Sequence, residues 1–130
     1  MATVFRTAHL DITASRAWAR IASVDKVHEI LPAIIACSVN GEQRTCTFEN
    51  GGVLQERIIS VDSELMRVAY SITDSPFGLE YHNAAMQIVA EGEGTRFDWT
   101  TDLKPDRAKT DLQPLFDQLF EQLTTRLAAP

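Results

Sequence analysis

The sequence predicts an α+β protein in which one curved antiparallel sheet wraps around a long C-terminal helix, in the order β-α-α-β-β-β-β-β-β-α. Three observations carry this. Between Asp111 and Leu127, the residues Leu112, Leu115, Phe116, Leu119, Phe120, Leu123 and Leu127 recur at steps of three and four, the spacing of one helix face. Between Ala33 and Lys104 the apolar period is two, and the turns are too short to join anything but antiparallel neighbours. One strand and two short helices stand before that run. A lone amphipathic helix is marginal in water, so the Leu/Phe face must lie on the sheet.

Thr3 to Ile12 alternates, with Val4, Ala8, Leu10 and Ile12 on one side, as a half-buried strand does. Thr13 is placed to cap a short helix whose Ala14, Ala17, Trp18, Ile21 and Ala22 share a face; Trp18 is expected in the core. Asp25 is the expected cap of a second helix that runs to Leu31 and stops at Pro32. The six further strands are read as Ile34–Val39, Arg44–Phe48, Val53–Val61, Leu65–Thr73, Leu79–Ala90 and Thr95–Lys104. Asn40-Gly41, Glu49-Asn50-Gly51-Gly52, Asp62-Ser63-Glu64, Ser75-Pro76-Phe77-Gly78 and Glu91-Gly92-Glu93-Gly94 punctuate them. Asp111 is the expected N-cap of the final helix, with Pro114 in its first turn.

With 130 residues, one domain over 1–130 is expected. The net charge of −6, without a Lys/Arg cluster, argues against a nucleic-acid partner. No apolar run approaches a membrane span and no secretory leader is visible, so a soluble, cytoplasmic protein is expected. His9, His28 and His82 do not complete a metal set with Cys37 and Cys46, and neither a metal nor a cofactor is expected. A turn at Gly41-Glu42 sets Cys37 opposite Cys46, where a disulfide is conceivable; two buried reduced thiols are the plainer reading in a reducing cytosol.

Several pieces, in order, resemble a known superfamily: Gly51-Gly52-Val53-Leu54-Gln55-Glu56-Arg57-Ile58, Asp62, Arg67, Tyr70-Ser71-Ile72, Tyr81 and Gly94-Thr95-Arg96-Phe97-Asp98-Trp99. They are similar to the helix-grip superfamily of START domains, birch-pollen-type allergens and bacterial polyketide cyclase/dehydrase-like (SRPBCC) proteins. That resemblance implies a cavity between sheet and final helix that takes a small hydrophobic or amphipathic molecule. By similarity to the plant abscisic-acid receptors, Glu56, Tyr70, Tyr81 and Asn83 line it, with 49–52 and 75–78 as mobile loops at its mouth. The Asn40–Arg44 hairpin is shorter than the glycine-rich turn of many bacterial relatives, which leaves the direction of Arg44 open.

On strand parity Glu56 goes with Leu54 and Ile58. Facing the cavity, it would be a ligand-orienting acceptor or a general base; otherwise it is a structural partner of Arg44 or water, or it faces outward while Val53, Ile59 and Val61 turn in. Tyr70 shares parity with Met66, Val68 and Ile72 and belongs to cavity wall or core. Tyr81 and Asn83 share a face, yet Met86, Ile88 and Ala90 favour the opposite one, so their pocket position requires a bulge or two covered faces. In the other register His82 becomes an acid–base candidate. Trp99 is expected in core or pocket wall, and Phe116 and Phe120 close or fill the cavity.

Three functions compete. The first is binding or carriage of a lipid, isoprenoid or polyketide-like molecule. The second is a cyclase or dehydratase with Glu56 as base and Tyr70, Tyr81 or Asn83 polarising a carbonyl. The third is a protein-interaction module. A non-catalytic role is favoured because one acid–base candidate is too sparse for demanding chemistry. The oligomeric state is not legible.

Overall fold

The computed structural model describes all 130 residues. Strand β1 (Ala2–Leu10) leads into helix α1 (Ala14–Ala22), a 3-10 turn (Val24–Lys26) and helix α2 (Val27–Ile30). Strands β2 (Ile34–Asn40), β3 (Gln43–Phe48), β4 (Val53–Asp62), β5 (Arg67–Asp74), β6 (Tyr81–Glu91) and β7 (Gly94–Lys104) follow. Helices α3 (Ala108–Asp111) and α4 (Gln113–Leu127) end the chain. All seven strands form one antiparallel sheet in the order β1-β7-β6-β5-β4-β3-β2. The expected architecture is present: a sheet whose helices share one face, with the core between them.

Strand alternation places that core. Val4, Leu54, Val68, Ala84, Met86, Ile88, Phe97, Trp99 and Leu103 are buried on the concave face, where Phe116, Leu123 and Leu127 of α4 meet them. The β4–β5 pairing shifts register between Gln55 and Glu56 and again between Ile58 and Ser60. Such irregularities bend a strand and increase its twist. Ile59, at the second of them, and Val61 are exposed while Leu54 and Glu56 are buried, which excludes the outward reading of Glu56. Helix α1 lies over β5, β6 and β7, and α2 meets both β2 and α4. Arg20 of α1 donates from Nη1 to the carbonyls of Arg126 (3.0 Å) and Leu127 (2.7 Å), satisfying C-terminal acceptors of α4.

Helix starts depart from expectation in two places. Thr13 caps α1 through a hydrogen bond from Arg16 N–H, as expected. Asp25 caps nothing; it lies inside the 3-10 turn, and α2 has no side-chain cap. Asp111 likewise ends α3, and Leu112 precedes α4 without a side-chain bond. Pro114 explains the break, since it lacks the N–H that would carry one helix through Leu112. Trp18 is half-buried and packs against the core rather than within it. No helix is long and apolar enough to cross a membrane.

Candidate functional site

A cavity of about 80 Å³ lies between the concave face of the sheet, the α1–α2 segment and α4. Its walls are mostly aliphatic and aromatic: Ile21, Val27 and Leu31 from the N-terminal helices, Leu54, Val68 and Met86 from the sheet, Leu112, Leu115 and Leu119 from the C-terminal segment. Phe48 and Phe77 meet edge to face at its mouth, with ring centroids 6.1 Å apart, beside Leu115 and the 49–52 turn.

Polar groups collect on the sheet side. Arg44 and Glu56 are directly paired across β3 and β4, both 4 % exposed, and Arg44 Nε donates to Glu56 Oε1 at 2.9 Å. Arg44 Nη1 donates to the carbonyl of Val24 at 3.1 Å, and its guanidinium carbon sits 5.2 Å above the Tyr70 ring, within cation–π range. Burial by itself would weaken the charged form of Arg44; the Glu56 charge, with smaller help from Cys46, outweighs it and holds the guanidinium above its ordinary range. Tyr70 accepts from Trp99 Nε1 at 3.0 Å across the intervening strand β6. Burial, then the nearby Glu56 carboxylate, push the Tyr70 phenol well above its ordinary value, so it stays protonated.

His82 is buried on the same face, its ring 5.8 Å from that of Tyr70. Its Nδ1 accepts from the backbone N–H of Ile72 at 2.9 Å, which fixes the tautomer with the proton on Nε2. The Ser71 hydroxyl donates to the His82 carbonyl and anchors the same residue from behind. Burial pushes the imidazole down to about 4, so His82 is neutral at pH 7. The one fully enclosed side-chain polar atom without a partner is His28 Nδ1. All four residues line the cavity, and their unused hydrogen-bonding capacity is three donors, at Arg44 Nη2, His82 Nε2 and the Tyr70 hydroxyl, and one acceptor at Glu56 Oε2. With the ion pair internally balanced, the site carries no net charge at neutral pH.

Of the residues singled out from sequence, Glu56, Tyr70, Trp99 and Phe116 line the cavity together. Phe120 stacks on Phe97 and Trp99, with centroids 5.7 and 6.3 Å apart, and packs the core beside the cavity rather than lining it. Tyr81 and Asn83 lie elsewhere. The β6–β7 register runs unbroken from Tyr81↔Lys104 to Glu91↔Gly94, so His82, Ala84, Met86 and Ile88 point inward. Tyr81 is exposed, and Asn83 borders a polar depression on the outer face with Asp102 and Arg67. The absence of a bulge in β6 decides this. Arg44 and His82 complete the site, and the inward parity of Arg44 with buried Cys46 is the sequence signal for the former.

The model of the family described as polyketide cyclase/dehydrase and lipid transport matches residues 1–129. An uncharacterised protein from Bacillus thuringiensis superposes with a TM-score of 0.89 at 16 % identity, covering 98 % of this chain and 100 % of the other. A START superfamily protein from Mycobacterium smegmatis gives a TM-score of 0.80 at 14 % identity, covering 96 % of each. Norcoclaurine synthase from Thalictrum flavum gives 0.77 at 14 %, covering 98 % of this chain and 84 % of that one. At these identities the likeness is one of fold. No curated protein matches the sequence.

Proposed function

Because the chain belongs to the polyketide cyclase/dehydrase and lipid transport family, we propose that it binds one small amphipathic molecule, of lipid, isoprenoid or polyketide-like kind, in this cavity. The observation that carries the reading is a polar cluster of no net charge, with the Arg44–Glu56 ion pair at its centre, set into an otherwise apolar wall. The apolar part of a ligand gains roughly 25 cal/mol for each Å² it removes from water. Its head meets three donors and one acceptor. A carbonyl or hydroxyl oxygen accepts from Tyr70, His82 Nε2 or Arg44 Nη2, whereas a charged head would meet both signs of the Arg44–Glu56 pair and recover little net Coulomb energy for its desolvation. The preferred ligand therefore has a neutral, oxygenated head.

A cavity of about 80 Å³ is well below the roughly 300–1,000 Å³ of pockets that enclose drug-sized ligands. Phe48, Phe77 and Leu115 flank both this cavity and the depression beside it, so a ligand larger than the cavity is accommodated by their moving apart, in a more open state that the ligand selects. A spin-labelled long-chain alcohol, added to a Trp18→Phe variant in which Trp99 is the sole tryptophan, tests this. Saturable quenching of Trp99 fluorescence, weakened by Tyr70→Phe, is expected; quenching that never saturates would contradict it.

A cyclase- or dehydratase-type reaction with Glu56 as general base is the second reading. It is favoured by the presence of a carboxylate oxygen and a phenol on the same cavity wall, the pairing that removes a proton while polarising a carbonyl. Glu56→Gln separates the two: an enzyme loses turnover with binding largely kept, and a carrier shows only altered affinity.

A further inference from the structure

Cys37 on β2 and Cys46 on β3 face each other in the hairpin register, their sulfurs 3.5 Å apart. The hairpin closes on Asn40↔Gln43 through Gly41 and Glu42, with Gly41 at φ +63°, the position where a type II′ turn calls for glycine. Hydrogen-bonded and non-hydrogen-bonded pairs alternate from that closing pair, so Cys37↔Cys46, three pairs on, is a non-hydrogen-bonded one. Such pairs hold their Cα atoms about 4.5 Å apart, inside the roughly 4.4–6.8 Å that a disulfide spans.

The two thiols differ in access. Cys37 is half-buried and Cys46 fully buried. Burial, then the Glu56 charge, push the Cys46 thiol well above its ordinary value, so Cys37 is the one a small oxidant meets first. Cys46 Sγ also lies 3.4 Å from Glu56 Oε1, the oxygen that accepts from Arg44 Nε.

We propose that Cys37 and Cys46 are an oxidative modification site, converted by a hydroperoxide to a reversible disulfide that detaches Cys46 from the polar end of the cavity. The Cys37 thiolate sulfur attacks a peroxide oxygen, the O–O bond breaks, and hydroxide leaves with the proton that Cys37 gave up, as water. The sulfur is oxidised by two electrons to a sulfenic acid and the peroxide is reduced. Cys46 sulfur then attacks Cys37 sulfur, its proton passing to Glu56. The S–O bond breaks, and the departing hydroxide takes that proton as a second water. Two thiols and one hydrogen peroxide become one disulfide and two waters. The sulfurs close from 3.5 Å to about 2.05 Å and the S–H is gone, which leaves Glu56 Oε1 to Arg44 alone. None of this requires a ligand in the cavity.

The test treats the full chain with hydrogen peroxide and follows intact mass, free thiols and the Arg44 Nε–H resonance. The expected result is loss of two hydrogens and of both thiols, with the Arg44 signal shifted and restored by dithiothreitol. Cys37→Ser should leave Cys46 reduced under the same treatment. Oxygen added to Cys37 while Cys46 stays a thiol, dimers linked between chains, or a disulfide that forms only as the folded spectrum is lost would overturn the site. A disulfide with an unmoved Arg44 signal would overturn its connection to the cavity.

Discussion

Arg44 and Glu56 sit in one register step of β3 and β4 and are almost wholly out of water, so each depends on the other for its charge. Removing one partner of a buried pair strands the other and costs about 3–5 kcal/mol, whereas replacing both by apolar residues is often nearly neutral. Arg44→Met should therefore lower the stability measured by urea unfolding by about that amount, and Arg44→Met with Glu56→Leu should recover most of it. A double variant as weak as the single one would mean that the pair is needed for folding rather than for the cavity. His82 makes a second prediction at this scale. Its folded value of about 4 lies below the ordinary 6.5, so the unfolded chain binds the extra proton between those values. Stability from the neutral imidazole is complete above pH 6.5 and is lost as the pH falls towards 4, by on the order of 3 kcal/mol. In His82→Leu that part of the pH dependence should vanish; an unchanged slope between pH 4 and 6.5 would assign the effect to other groups. Parity made Glu56, Tyr70 and Trp99 legible in the sequence. On β6 parity favours the face of Met86 and Ile88, which His82 and Ala84 share, whereas the resemblance sets Tyr81 and Asn83 in the pocket; the uninterrupted pairing with β7 agrees with parity.

Elements were legible wherever one face is apolar and the other polar. All seven strands and α1 and α4 follow from periodicity, with ends displaced by a residue or two. The caps at Asp25 and Asp111 were not, because a carboxylate near a helix start is only a local preference, and here the tight 3-10 turn and the Leu112–Pro114 break set the backbone. Gly94 is a related case. In sequence it looks like part of the Glu91–Gly94 turn, but it opens β7. A Cβ there would stand 2.7 Å from the carbonyl oxygen of Leu10 and 2.8 Å from the His9 ring. The carbonyl belongs to the backbone of β1 and cannot swing away, so Gly94→Ala should force the β1–β7 edge apart. A loss of about 1–3 kcal/mol is expected, with faster amide exchange at Leu10 and Thr95. Wild-type stability and exchange in that variant would show that the two strands have slack.

The sheet, α1, α2 and α4 enclose the cavity because the inward side chains of a bulged, seven-stranded sheet do not fill all the space under one helix. The volume could not be read from the sequence, since it depends on how far the sheet and the helices stand apart, which no local pattern encodes. Leu115 is half-buried at the mouth, so Leu115→Trp should plug the entrance while the fold stands. Ligand uptake should slow at least tenfold with a near-normal melting temperature; unchanged uptake would mean that ligands enter elsewhere. The measurement that bears most directly on the function is native mass spectrometry of the freshly purified chain, followed by denaturing extraction of whatever it carries. A stoichiometric amphipathic molecule with a neutral oxygenated head is expected on the wild type and absent from the folded Arg44→Met/Glu56→Leu variant. A wild-type chain that stays at its bare mass, and takes up no lipid, isoprenoid or polyketide-like compound supplied in excess, would contradict a ligand-binding function.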